Sequence, residues 1–203
     1  MSIGDLKLVY VASVVVLSLI IVAPTLTMVI TLPGGERFSE LWLLGQNRMA
    51  EDYPFNVKAN ETYKVYLGLG NHLGGLEYYL VYVKFRNQTE SLPDSMNGTS
   101  SVLEPLGEYR VFLGDSEVWE KEITFSFEGV AFDGNVCKIS NLVLDGLVLN
   151  VDKVAAWDSA TNGFYCQLFF ELWLYNAAPS GFQYHNRFVG IWLNMTIPFQ
   201  NPK

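Results

Sequence analysis

The sequence predicts an all-β fold, an immunoglobulin-like β-sandwich preceded by one N-terminal transmembrane α-helix. Three observations predict it: an uncharged apolar run near the N-terminus, a hydrophobic period of two after that run, and turn-rich segments that divide the rest into about seven or more short strands. Of the 203 residues, about 170 remain once the apolar run is set aside, one domain by the usual size.

From Leu8 to Leu32 the stretch LVYVASVVVLSLIIVAPTLTMVITL carries no charged side chain. About 25 residues at 1.5 Å each make roughly 37 Å of helix, more than the ~30 Å hydrocarbon core, so one tilted span fits and residues 8–32 are the expected contact with membrane lipid. A cleaved leader has a shorter apolar core of roughly 7–15 residues, and the best small-residue site here, Val22-Ala23, is followed by Pro24. The expected division is therefore an uncleaved anchor over residues 1–33 and an external domain over residues 34–203.

Orientation rests on charge and on sequons. Lys7 and the amino terminus face Asp5 before the span, while Glu36, Arg37 and Glu40 follow it, a slight positive-inside bias that places the C-terminal domain outside. Asn60-Glu-Thr62, Asn87-Gln-Thr89, Asn97-Gly-Thr99 and Asn194-Met-Thr196 match N-x-T although the chain has only nine threonines, where chance gives roughly 0.6 such matches. Glycans on Asn60, Asn87, Asn97 and Asn194 are the expected consequence. The two cysteines, Cys137 and Cys166, form no C-x-x-C or Cys/His cluster. The expected pairing is one disulfide closing about 29 residues and stabilising by roughly 3–4 kcal/mol; two buried free thiols are the alternative.

Beyond Pro33-Gly34-Gly35 the strands come in order. Tyr63, Val65, Leu67 and Leu69 alternate with Lys64, Tyr66, Gly68 and Gly70. Tyr79, Val81, Val83 and Phe85 alternate with an outer set ending in Lys84 and Arg86, and Asn71 to Gly75 between the two runs reads as a hairpin loop. Gln88 to Gly107 is a long turn-rich stretch. Ile123, Phe125 and Phe127 then alternate with Glu122, Thr124 and Ser126. The segment Gly129 to Gly163 reads equally as two short strands or as a strand and a short helix. Cys166, Leu168, Phe170, Leu172 and Leu174 alternate with Gln167, Phe169, Glu171, Trp173 and Tyr175. In the last strand Val189, Ile191, Leu193, Met195 and Ile197 face the core while Gly190, Trp192, Asn194 and Thr196 face outward, so a glycan on Asn194 and the core do not conflict.

Tyr53-Pro54, the strand ending Gly68 to His72, the Tyr-rich strand Tyr78 to Phe85 and the closing Arg187 to Trp192 resemble an archaeal membrane-protein family catalogued as domain of unknown function 1616. The resemblance covers most of the outer domain, with Gly129 to Gly163 looking like an insertion. It implies a cell-surface, immunoglobulin-like domain of an archaeon and brings no enzymatic residues. Many relatives look to carry several membrane helices where this chain has one.

No chemistry-bearing motif stands out. The two histidines, His72 and His185, lack the three or four convergent ligands of a zinc site, and Asp158 to Gly163 is a poor calcium loop without the closing bidentate Glu. Neither Walker, G-x-S-x-G nor dinucleotide fingerprints occur, and a net charge of −8 without basic clusters disfavours nucleic acid. No enzyme activity and no cofactor are expected. Trp173, Tyr175 and Trp192 share the outward parity and form a possible contact surface for sugars or a protein; otherwise Gly129 to Gly163 covers them as a second small core. The expected function is a non-enzymatic, glycosylated envelope component or the ectodomain subunit of a membrane complex, with protein partners in the envelope. A pilin-like filament subunit and a carbohydrate-binding surface module are the alternatives.

Overall fold

The computed structural model describes residues 3–30 and 36–196, and within the helix the side chains of residue 4 and residues 7–22. The chain divides into two compact units, 1–37 and 38–203. Thr31, Leu32 and Pro33 to Gly35 at the expected anchor boundary, and Ile197 at the expected end of the last strand, lie outside the described residues.

The first unit is α1 (Ile3–Ile30), 28 residues long. From Leu8 to Val22 its side chains are apolar apart from the Tyr10 hydroxyl, Ser13 and Ser18. Each serine returns its hydroxyl to the carbonyl four residues earlier, Val9 and Val14, at 2.8 Å, which satisfies the polar group within the helix. Among the described residues no helix is long and apolar enough to cross a membrane. The consecutive side chains described in α1 extend only over residues 7–22.

The second unit is built of β1 (Phe38–Leu44), β2 (Asn56–Val57), β3 (Tyr63–His72), β4 (Glu77–Asn87), β5 (Gly107–Leu113), β6 (Val118–Asp133), β7 (Val136–Leu144), β8 (Leu147–Asp158), β9 (Gly163–Asn176) and β10 (Gly181–Met195). One half of the sheet runs β1-β3-β6-β7-β8, the other β5-β4-β9-β10-β2, antiparallel throughout except that β2 lies parallel to β10. Trp157 and Asp158 of β8 pair with Phe164 and Gly163 of β9, so the halves are one curled ten-stranded sheet. Their inner faces share a core, with Phe85 of β4 5.4 Å from Phe127 of β6. The inward sets read from alternation fill it: Val65, Leu67 and Leu69, then Val81 and Val83, Ile123 and Phe125, Leu168 to Leu172 at every second position, Ile191, Leu193 and Met195 are all buried. Val189 is partly buried against this cluster.

Two expectations are corrected and one open reading is decided. Asn71 to Gly75 is not a hairpin loop, because β3 and β4 belong to different halves and the segment carries the chain across the core. Buried Asn71 shapes that corner by donating from Nδ2 to the carbonyls of Gly75, Leu113 and Gly114 at 2.7, 2.9 and 3.0 Å. Of the two readings of Gly129 to Gly163 the structure has the two strands and no helix, with strands longer than expected. Long strands β6, β7 and β8 continue the first half, with a register shift between Ile139 and Asn141 where Asp152 takes a φ of 41°. The open side of β8 is guarded by that irregularity and by the Asn87 and Gln88 amides, which donate to the carbonyls of Val154 and Ala156 at 3.0 and 2.9 Å. Finally, Cys137 and Cys166 are free thiols. They occupy inward positions on β7 and β9 and fill the core as small apolar groups. Burial pushes both up to about 12, which leaves them poor nucleophiles.

Candidate functional site

The outward face of β4, β9 and β10 is covered by residues 88–106 rather than by the β6–β8 segment. The Ser101 amide donates to Glu171 Oε1 at 2.8 Å, Lys84 Nζ donates to the Ser101 carbonyl at 2.8 Å, and Ser95 meets the Tyr184 hydroxyl at 3.3 Å. Beneath the cover Lys84 and Glu171 form an ion pair at 2.9 Å, their side chains 3% and 0% exposed. Trp173 Nε1 donates to the second carboxylate oxygen of Glu171 at 3.2 Å. Arg86 donates to Gln167 at 2.8 Å and to the Glu90 carbonyl, and its guanidinium lies 4.8 Å from the Trp192 ring centroid. Burial holds the Arg86 pKa below its ordinary value. No buried side-chain nitrogen or oxygen lacks a partner among the described residues, so this network fastens a loop and leaves no free group for a ligand.

A second constellation lies at the far end of the same half. The β9–β10 pairing shifts register between Tyr184 and Arg187, and Asn186 there has a φ of 54°. Such a bulge re-aims a side chain, and here it brings His185 to Ser39 of β1, Nε2 to Oγ at 3.1 Å. Ser39 Oγ meets the Tyr79 hydroxyl at 2.8 Å, and that hydroxyl donates to Asn71 Oδ1 at 3.0 Å. The direction of this chain follows from its end. Asn71 is fixed because its Nδ2 donates to three carbonyls, so Oδ1 accepts from Tyr79, Ser39 donates to Tyr79, and His185 Nε2–H donates to Ser39. Neutral His185 therefore keeps its lone pair on Nδ1, which has no bond among the described residues. Burial first, then Arg187, holds the His185 pKa below its ordinary value, and burial raises that of Tyr79. Ser39 and His185 are not a nucleophilic pair. Ser39 is 1% exposed and its proton is committed to Tyr79.

His185 lines a groove of ≈ 530 Å³ with Glu77, Tyr78, Phe112, Tyr175 and Gln183 among its walls. Sheet register sets an aromatic row, since Tyr78 pairs with Phe112 and Tyr175 with Phe182, and of this row Tyr78, Phe112 and Tyr175 line the groove. Tyr78 stacks on Phe112 at 4.0 Å and lies 6.0 and 4.9 Å from Tyr175 and Phe182. Phe112 is 63% and Tyr175 40% exposed.

Trp173, Tyr175 and Trp192 do not form one surface. Trp173 sits under the loop against Tyr82 and Tyr184, Tyr175 belongs to the aromatic row, and Trp192 is 40% exposed beside Arg86. Trp192 also lines a separate groove with Tyr53 to Phe55. The sequons differ in freedom. Asn60 is exposed at a φ of 62°; its backbone amide donates to the Phe127 carbonyl at 2.9 Å, and its side-chain amide makes no bond among the described residues. Asn87 Nδ2 is given to Val154, Asn97 Nδ2 to Asp94 at 2.5 Å, and Asn194 Nδ2 to Asn56 at 2.9 Å. Thr196 of the last sequon donates to the Val57 carbonyl at 3.1 Å. His72 stacks on Phe38 at 4.7 Å, and Asp158 caps its own turn through Ala160 and Thr161. Among the described residues no group of three or more His, Cys, Asp or Glu side chains could hold a metal ion. Tyr78, Phe112, Phe182 and Ser39 carried no sequence signal beyond strand alternation.

A model of the family described as domain of unknown function DUF1616 matches residues 32–161. The match includes the β6–β8 segment and ends before the Arg187 to Trp192 strand. No curated protein matches the chain. Among solved structures, β-glucosidase from Listeria innocua is similar in complex with isofagomine (13% identity, TM-score 0.34, 78% of this chain and 16% of that one) and with glucose (15% identity, TM-score 0.33, 79% and 16%). The chain thus spans about 16% of those chains, and TM-scores this low carry no inference about fold or function.

Proposed function

The chain belongs to the DUF1616 family, and we propose that it is a non-enzymatic, membrane-anchored surface protein of an archaeal envelope, with an immunoglobulin-like domain held outside by α1. The observation that carries this reading is the uncharged run Leu8 to Leu32, most of it inside a 28-residue helix that has no polar face. Every side chain described from Leu8 to Val22 is exposed, and an apolar exposed helix finds its lowest free energy in lipid. The 28 residues of α1 at 1.5 Å each make roughly 42 Å, enough for a tilted span. Strand order supports the immunoglobulin-like reading: β1-β3-β6 opposes β5-β4-β9-β10, β2 closes parallel to β10, and the β7–β8 hairpin is an addition to the first half. N-glycans on the four sequons complete the proposal.

Fractionation of cells expressing the full chain tests it. The protein is expected in membranes, resistant to alkaline carbonate, released by detergent, and digested from outside in intact cells. A soluble protein, or one protected from external protease, defeats the reading. Peptide mass spectrometry of native material is expected to find the highest glycan occupancy at Asn60, whose side-chain amide is unengaged among the described residues; four empty sites remove the glycoprotein part alone.

A further inference from the structure

We propose that the groove formed by Tyr78, Phe112, Tyr175 and His185 at the end of β4, β9 and β10 binds a neutral saccharide. This goes beyond the anchoring reading and needs no part of it. Sugar rings present apolar C–H faces and hydroxyl edges, so a site for them combines exposed aromatic planes with neutral hydrogen-bonding groups. The groove has both. Phe112, Tyr78, Tyr175 and Phe182 stand in register on four adjacent strands, so the rings form a strip across the sheet rather than one isolated contact.

The neutral polar residues that line it include His185, Gln183 and Asn176. The relay through Ser39 and Tyr79 to Asn71 fixes the first of these as an acceptor, because it commits the ring proton to Nε2. Gln183 bonds only Asn176, loosely at 3.4 Å, so a hydroxyl can take the place of that contact, while Asn176 Oδ1 accepts the Ala178 amide at 3.0 Å and leaves its Nδ2 to offer. Charge selects among ligands. Glu77 is the one carboxylate lining the groove and no lysine or arginine lines it, which disfavours anionic sugars. The nearby Arg110 is occupied by Glu108 at 2.7 Å and by the Tyr78 hydroxyl at 3.3 Å. A volume of ≈ 530 Å³ lies within the usual range for small-ligand sites.

The test uses the full chain in a detergent without a sugar headgroup, on an array of neutral and acidic oligosaccharides, with calorimetric titration of each hit. Neutral oligosaccharides are expected to bind. Tyr175→Ala and Phe112→Ala are each expected to weaken binding roughly two- to tenfold, the size of one aromatic stacking contact. His185→Gln keeps a donor for Ser39 and an acceptor for ligand and should retain most affinity, whereas His185→Phe should lose it. If His185→Phe does not fold, the Tyr175 and Phe112 variants decide. Binding of acidic sugars alone, of choline alone, self-association through the groove in place of sugar binding, no binding at all, or hits indifferent to Tyr175→Ala and Phe112→Ala would each overturn the proposal. Failure of membrane anchoring would leave it standing, so the two readings fail separately.

Discussion

The two outward faces of the curled sheet carry similar side chains under different covers. On the first half, Lys64 and Glu122 meet at 3.6 Å around Tyr66, 43% and 47% exposed, and the Trp42 ring lies on the bare backbone of Gly68. On the second half, Lys84 and Glu171 meet at 2.9 Å under residues 88–106 and are almost wholly withdrawn from water. The chemistry of the pairs is the same. What differs is solvent: an exposed pair exchanges water for its partner at little net gain, whereas a buried pair becomes indispensable once both charges are desolvated. Burial also changes the kind of role. The second pair fastens a backbone segment, since each of its members also bonds Ser101.

The largest expected effect tests that contrast directly. Lys84→Met or Glu171→Leu alone strands one buried charge and should cost about 3–5 kcal/mol, while the double change should recover only part of the loss, because the Ser101 amide and carbonyl and Trp173 Nε1 lose their partners. Urea melts of the full chain in micelles measure both. Equal losses for single and double variants would mean that mutual attraction, not desolvation, governs the pair.

A smaller contrast concerns the glycines. A Cβ on Gly190 would lie 2.8 Å from the Leu168 carbonyl oxygen and 2.6 Å from Phe169 Cβ, in the middle of a ladder that cannot move. A Cβ on Gly68 would meet the Trp42 ring, which belongs to edge strand β1 and can swing away. Gly190→Ala should therefore cost about 2–3 kcal/mol and Gly68→Ala about 1 kcal/mol, read from the same melts. The reverse order would show that the first face is the more tightly packed.

Acid should act on the second half through His185. Its pKa lies below the ordinary 6.5 in the fold, so the unfolded chain binds more protons in the window beneath 6.5. Its share of stability is complete above that value and is lost as pH falls through the window. Urea midpoints compared at about pH 7.5 and pH 5 should fall less for His185→Gln than for the parent chain. An identical fall in both would assign the acid sensitivity elsewhere. Smallest of all, Lys64→Met should leave the midpoint unchanged within error, because the pair it breaks is already solvated.

Inward residues were legible from the order of amino acids alone. Val65, Leu67 and Leu69, or Leu168, Phe170 and Leu172, declare their face by a period of two that the pleat imposes on any strand. Apolar length likewise marks Leu8 to Leu32 before any fold is known. The outward faces were not legible, because their environment is supplied by residues far along the chain. Lys84 and Arg86 alternate as solvent-facing residues do, and only the folding-over of residues 88–106 buries them. Asn71 to Gly75 has the turn chemistry of a hairpin, and whether such a turn joins neighbours or crosses a core depends on which strands pair.

The candidate site shows the same division. Sequence by itself determined strand periodicity, the apolar N-terminal run and the surplus of aromatics, including Tyr175 as an outward ring, since these depend only on local backbone geometry and on transfer from water. Tertiary structure alone decided that Phe112, Tyr78, Tyr175 and Phe182 stand in one row, that the cysteines remain thiols in the core, and that His185 meets Ser39 across 146 residues. Register between strands and a bulge in β10 set those meetings, and neither is encoded by the period of a single strand, because pairing energy belongs to two segments at once.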